Sequence, residues 1–260
     1  MQMVPRFGRR QLPPSAAKQK SRHRGGVPDR AFRPHAAESA RPRRTRRPTG
    51  ARGRQGRGRS AVTITPAIHH VTTFGTQPQR SGLRQAVFLD RDGVLIRDKH
   101  YLSEVAGIEI LPGVIEALRA LAPHFRLIMV TNQSGVARGL FTVARLAQIH
   151  DALLARFARQ DVHLDALYCC PHHRDGTLAP YAIACACRKP QPGMLLHAIE
   201  KWELDPARCF MLGDQESDML AGQGAGVRSL MIGPDGAGKH AHPLYPDLGQ
   251  AARHMLAHAR

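Results

Sequence analysis

Beyond residue 85 the chain alternates short, unbroken apolar runs with longer stretches in which apolar positions recur every three or four residues. The run 86–89 is apolar throughout and reads as a buried strand. Pro112 opens a helix through residue 121, at a first helical position where its missing N–H costs nothing. Residues 126–131 form the next strand. Thr142 then caps a helix to about residue 159, whose Leu146, Ile149, Leu153 and Phe157 fall on one face. A strand at 165–169, a helix at 192–202, a strand at 209–212, a helix at 217–224 and a strand at 229–232 follow, and 247–258 reads as a closing helix. The order βαβαβαβαβ predicts an α/β protein with a parallel sheet and helices on both of its faces. Ligands of such sheets sit at the carboxyl ends of the strands.

Charge separates the chain into two parts. Residues 1–84 hold 20 of the 38 Lys and Arg but two of the 20 Asp and Glu, Asp29 and Glu38, so they carry the entire net charge of +18. They are rich in Arg, Pro, Gly and Ser and show no apolar periodicity before about residue 61. Such a segment cannot bury enough surface to offset its ordering entropy, so 1–84 is expected to be a disordered extension. It is read either as a nonspecific contact for nucleic acid, since it lacks interleaved aromatics, or as an inert product of a gene start set too far upstream of Val71 or Leu83. Residues 85–260, balanced at 18 acids and 18 bases, suffice for one domain. No secretory signal and no membrane span are recognisable, so a cytoplasmic protein without membrane contact is expected, and nothing suggests an obligate interface beyond a monomer.

The chemistry-bearing residues cluster where strands end. Asp90-Arg91-Asp92-Gly93 follows the first strand, and alternation along an extended chain would turn Asp90 and Asp92 to one side. Two carboxylates so close repel each other unless a cation lies between them or one keeps its proton. Thr131-Asn132-Gln133-Ser134-Gly135 follows the second strand, Arg188-Lys189-Pro190 lies beyond the third, and Gly213-Asp214 follows the fourth, with Asp218 four residues on. Singly, Asp92 is explained by turn chemistry, Thr131 by a strand end, Lys189 by solvation and Asp214 by helix capping. Carboxylate, hydroxyl, lysine and carboxylate in succession at one sheet edge point instead to a phosphate-handling site.

The loop after the third strand holds Cys170-x-His172 and Cys185-x-Cys187, three thiols and an imidazole. Their count and softness suit a closed, tetrahedral structural Zn²⁺ site that would staple the loop, with His173 an alternative to His172. Disulfides are the weaker reading without an export signal. Cys169 and Cys209 are assigned to the core.

Together, Phe-Leu-Asp-Arg-Asp-Gly at 88–93, Val-Thr-Asn-Gln-Ser-Gly-Val-Ala-Arg-Gly at 130–139, Cys-Pro-His-His at 170–173, Cys-Ala-Cys-Arg-Lys-Pro at 185–190 and Gly-Asp at 213 resemble the haloacid dehalogenase-like phosphatases. Within these the heptose 1,7-bisphosphate 7-phosphatases are the most similar. Val94 departs from the Thr usual in the family. The resemblance implies a Rossmann-like α/β fold. Only about forty residues separate Asp92 from Thr131, so no separate cap domain is expected. It further implies Asp90 as nucleophile, Asp92 as general acid and base, and Thr131 and Lys189 around the phosphoryl oxygens. Mg²⁺ would be held by Asp90, the Asp92 carbonyl and Asp214, with Asp218 in support. Asp98, Tyr101, Asn132, Gln133, Ser134 and Arg188 would meet a small phosphorylated sugar. Histidinol phosphate is the alternative substrate, and a 3′-phosphatase recruited to nucleic acid by the tail a more distant one.

Overall fold

Four strands, Ala86–Leu89 (β2), Arg126–Asn132 (β3), Ala166–Cys170 (β4) and Phe210–Gly213 (β5), make up the centre of a sheet and are buried along almost their whole length. Strands covered on both faces read as continuous apolar runs rather than alternating ones, and that is the pattern in the sequence. The computed structural model describes residues 82–233 and 242–258, together with the backbone of residues 70–73. All of them belong to one unit, Gln55–Arg260. The order across the sheet is β1-β4-β3-β2-β5-β6-β7, where β1 is His70–Thr73, β6 Arg228–Ile232 and β7 Leu244–Tyr245. The pairings from β4 to β7 are parallel, and β1 lies antiparallel on the edge of β4.

Alternate residues of each strand serve different cores. Val87, Leu89, Leu127, Met129 and Leu212 pack with helices Val114–Leu121 (α1), Val143–Ala158 (α2) and Leu248–Ala257 (α5) on one face. Ala86, Phe88, Ile128, Val130 and Met211 pack with Gly193–Lys201 (α3) and Glu216–Gly224 (α4) on the other. The chain runs outward from β2 through β3 to β4, then returns to the opposite side of β2 for β5. Strand order therefore reverses beside β2, and a crevice opens there at the carboxyl ends.

Several expectations are corrected. Pro112 does not open α1: the helix starts at Val114 behind Gly113, which caps it with a φ of 77°. Thr142 does cap α2, its hydroxyl accepting from the Arg145 N–H. Between β2 and β3 lie a short 3₁₀ turn, Val105–Gly107, and α1, which leaves no room for a separate cap domain. The extension 1–84 lies mostly outside the described residues, but β1 falls within it, so the expectation of disorder does not hold for 70–73. The segment His-Val-Thr-Thr is rich in β-branched residues but too short to stand alone, and it pairs because β4 offers an otherwise open edge. A chain starting at Leu83 would lack this strand. We expect deletion of residues 1–60 to leave thermal stability unchanged, whereas deletion of 1–80 uncovers β4 and lowers the unfolding midpoint. The fall should be about 2–4 °C for each kcal/mol of lost pairing, measured by differential scanning fluorimetry.

Candidate active site

Strand β2 ends at Leu89, so Asp90 and Asp92 lie in the turn beyond it rather than on an extended strand. They still face one cavity of about 370 Å³, because the chain is pinned there: the Asp90 N–H donates to the Leu212 carbonyl at 2.9 Å, and that of Gly93 to Ile96 at 2.8 Å. Asp98, His100, Asn132, Arg188, Lys189, Asp214, Gln215, Ser217 and Asp218 complete the lining. Two glycines make this packing possible. Gly93 has a φ of +78°, and a Cβ there would stand 2.3 Å from Asp214 Oδ2. A Cβ on Gly213 would meet the Asp218 side chain at 2.1 Å.

Lys189, 3% exposed, points its ammonium into the carboxylates. Nζ donates to Asp90 Oδ1 at 2.7 Å, to Asp218 Oδ1 at 2.6 Å and to the Val130 carbonyl at 2.9 Å. All three of its protons are thus engaged. Burial works against the charge on Lys189, but Asp218 and Asp90 outweigh it and raise its pKa. Asp90 is itself pushed up to about 8 by burial, with Lys189 opposing and Asp218 and Asp92 adding to the rise. Asp214 is raised too, first by burial.

Asp92 has a different cation. Arg91, 1% exposed, donates from Nη2 to Asp92 Oδ2 at 2.8 Å and from Nε at 3.2 Å, while Gln133 Nε2 donates to the same Oδ2 at 2.9 Å. When all four are ionised, the carboxylates Asp90, Asp92, Asp214 and Asp218 face two buried cations, a deficit of two charges on the cavity floor. The ligand oxygens of Asp90, Asp214 and Asp218 lie within 4.8 Å of one another, so an all-oxygen set with a surplus of two negative charges fits a hard divalent cation.

The second cluster stands where β4 ends. Cys170, the last residue of that strand, has its sulfur 3.3 Å from Cys187 and 3.6 Å from Cys185, and Cys187 is 3.1 Å from Cys185. His172 Nδ1 lies 3.6 Å from Cys170 and 3.5 Å from Cys187. Every separation is far above the ~2.0 Å of a disulfide, and they approach the ~3.8 Å edge of a tetrahedron with Zn–S bonds of ~2.3 Å. Hydrogen bonds from Cys170 and Cys187 lower the Cys185 thiol to about 4, whereas Cys170 is pushed up by the same contact, so the negative charge of the pair rests on Cys185. His173 turns away, to Arg138 at 3.2 Å. Cys169 and Cys209 are fully buried, as expected.

The remaining expected residues divide. Asp98 and Arg188 line the cavity, whereas Tyr101 and Ser134 are not among the lining residues. Thr131 is 1% exposed, and its hydroxyl accepts from Gln133. Gln133 is buried, with its amide given to Thr131 and Asp92 and its carbonyl to Arg91, so it braces the site from behind rather than facing a substrate. Asn132 is also spoken for: its amide donates to the Lys189 carbonyl at 3.0 Å and its oxygen accepts from the Lys189 N–H at 3.1 Å. Asp218 is committed to Lys189 and the Gln215 N–H. Val94 is buried in the core. Sequence reasoning missed the partnership of Arg91 with Asp92, and also Gln215 and Ser217 in the lining, whereas His100 falls within the segment 98–101 expected at the entrance. Arg91 was hidden because strand alternation would aim it away from both carboxylates.

A family model described as HAD-hydrolase-like matches residues 186–252. A D-glycero-beta-D-manno-heptose-1,7-bisphosphate 7-phosphatase of Pasteurella multocida is 43% identical over 175 residues, covering 67% of this chain and 92% of that protein. Its namesake in Escherichia coli K12 is 40% identical over 172 residues, covering 66% and 87%. The chain belongs to the heptose-1,7-bisphosphate 7-phosphatase family. A solved member of the family, the D,D-heptose 1,7-bisphosphate phosphatase of B. bronchiseptica complexed with magnesium and phosphate, superposes with a TM-score of 0.59 at 30% identity, over 67% of this chain and 99% of that one. With the family come its chemistry class, a phosphoric monoester hydrolase, and the haloacid dehalogenase-like fold.

Gly93→Ala should force Asp214 aside as well as strain the turn. We expect phosphatase activity to fall about 10²-fold, as for displacements near 1 Å at a reacting centre, measured as phosphate release.

Proposed function

We propose that the protein is a Mg²⁺-dependent phosphatase that removes the 7-phosphate of D-glycero-D-manno-heptose 1,7-bisphosphate through an aspartyl phosphate on Asp90. The observation that carries this is Asp90 itself, 8% exposed on the cavity floor, with Oδ1 held by Lys189 and Oδ2 left to attack. The substrate is taken from the names of relatives at 40–43% identity.

In the first half-reaction an Asp90 oxygen bonds to phosphorus as the bond to the sugar oxygen breaks, and Asp92 delivers a proton to that oxygen. In the second, Asp92 takes a proton from water, whose oxygen attacks phosphorus and releases inorganic phosphate and free Asp90. Lys189 orients Asp90 and offsets its charge. Its engaged protons mean that it meets phosphoryl oxygen by exchanging a partner, and the Thr131 hydroxyl, buried behind the lining residues and accepting from Gln133, would donate from the back of the cavity. Asp90, the Asp92 carbonyl and Asp214 would hold Mg²⁺, which when bound supplies charge to offset the phosphoryl oxygens and the surrounding carboxylates. Cys170, His172, Cys185 and Cys187 would hold structural Zn²⁺. Arg188, which donates to the His172 carbonyl at 3.2 Å and lines the cavity, would meet the far end of the sugar.

The catalytic domain is taken as residues 85–260 in a cytoplasmic monomer, with β1 as an added edge strand and the rest of 1–84 dispensable for turnover. Among the described residues no helix is long and apolar enough to cross a membrane.

The test is magnesium-dependent phosphate release from the heptose bisphosphate and from histidinol phosphate, with Asp90→Asn as the blank. Preference for the bisphosphate, abolished by the substitution, is expected; preference for histidinol phosphate would overturn the substrate. Cys187→Ala should lose one equivalent of bound zinc by elemental analysis and lower the unfolding midpoint.

A further inference from the structure

The buried cation behind Asp92 has no counterpart in the chemistry assigned so far. Arg91 is among the largest fully buried side chains, and taking a guanidinium out of water costs several kcal/mol unless its donors are matched. They are matched in one direction. Nε and Nη2 grip both oxygens of Asp92, at 3.2 and 3.2 Å and at 3.0 and 2.8 Å respectively. Nη2 also donates to Gln133 Oε1 at 3.0 Å, and Nη1 to His150 Nε2 at 3.2 Å. The backbone of Arg91 is held as well, its carbonyl accepting from the N–H groups of Leu95 and Ile96 at 3.0 Å each.

A lone carboxylate next to a glycine is free to rotate about χ1 and χ2. Asp92 is not free. The planar fork fixes the carboxylate plane, and Gln133, which also bonds Thr131, ties Oδ2 to the end of β3. Its side chain nevertheless stays 20% exposed and lines the cavity, so the clamp lies entirely on the side away from solvent. A hydrophobic side chain would fill the space behind Asp92 at lower cost.

We infer that Arg91, braced by His150 and Gln133, is the positioning residue that aims Asp92 at the leaving oxygen. This rests on the acid–base role proposed for Asp92 above. Arg91 touches no substrate; it acts by holding one orientation of the carboxylate, as effective proton transfer requires.

The leaving group separates this from a merely structural role. An alkoxide from a sugar phosphate needs a proton as it departs, whereas p-nitrophenolate does not. kcat/KM reports the steps through departure of the first product. It would be measured on the heptose bisphosphate and on p-nitrophenyl phosphate for the full-length wild type, Arg91→Met, Arg91→Lys, His150→Leu, Asp92→Asn and the Arg91→Met/Asp92→Asn double variant. Asp92→Asn should lose about 10²–10⁴-fold on the sugar and little on the aryl ester. Arg91→Met should show the same selectivity with a loss of about 10²-fold, Arg91→Lys a smaller one, and the double variant should be no worse than Asp92→Asn alone. Crystals of Arg91→Met should show Asp92 rotated or in several orientations.

Equal losses on both substrates in Arg91→Met, or none, would overturn the proposal while leaving Asp92 in its role. An unselective Asp92→Asn would instead remove the acid–base assignment, and the inference with it. Should Arg91→Met fail to fold, His150→Leu, which removes the partner of Arg91 Nη1, carries the same test: a selective loss supports the clamp, and an unselective one or none overturns it.

Discussion

The ammonium of Lys189, placed between Asp90 and Asp218 at 2.7 and 2.6 Å, is the contact on which the rest of the site depends. Its three partners come from the turn after β2, the first turn of α4 and the end of β3. One buried cation therefore joins the connections that leave three neighbouring strands at the switch point of the sheet. Taken alone, a buried ammonium or a buried carboxylate would be strongly unfavourable, and together they stand because each satisfies the others. This is also why Asn132 is spent on the backbone of Lys189: the lysine reaches the carboxylates only if its own peptide is held in register with β3.

The cysteine cluster extends that constraint outward. Cys187 stands two residues before Lys189, and Cys170 closes β4, so a metal joining them would fix the distance between sheet and lysine. The close approach of Gly193 to the Ala186 carbonyl, 2.3 Å from where a Cβ would be, shows how tightly the loop returns to α3. With no inserted cap, the loop and the turn at 98–100 are what enclose the cavity. Substrate contact is thereby left to short segments whose geometry is set by cross-links rather than by a second domain.

Electrostatics in the site follows a rule of separate partners. Asp90 and Asp92 are two residues apart, and repulsion between them suggested a shared cation or a shared proton. Each instead has a different cation, Lys189 from the loop after β4, which Asp90 shares with Asp218, and Arg91 from between the two. The nucleophile and the acid–base group thus receive different surroundings from one short turn, and Asp214 and Asp218 bring the surplus negative charge that suits a divalent ion.

The order of strands and helices was legible in the sequence because hydrophobic periodicity is local, and so was the placing of Asp90, Thr131 and Asp214 at strand ends and of Lys189 in the loop after β4. The cysteine pairs were legible for the same reason, since their residue types and spacing carry the chemistry. What the tertiary structure alone decided is who meets whom. Lys189 and Asp90 are 99 residues apart, Asn132 and Lys189 57, and Arg91 and His150 59. Strand alternation turned Arg91 the wrong way because β2 stops at Leu89 and the turn beyond it obeys hydrogen bonds instead of pleat. Gln133 looked like a substrate contact because an amide at a strand end can serve either purpose, and only packing commits its donors, here to Thr131 and Asp92. The strand at 70–73 was invisible for a related reason: four residues have no structure of their own, and the open edge of β4 supplies their pairing.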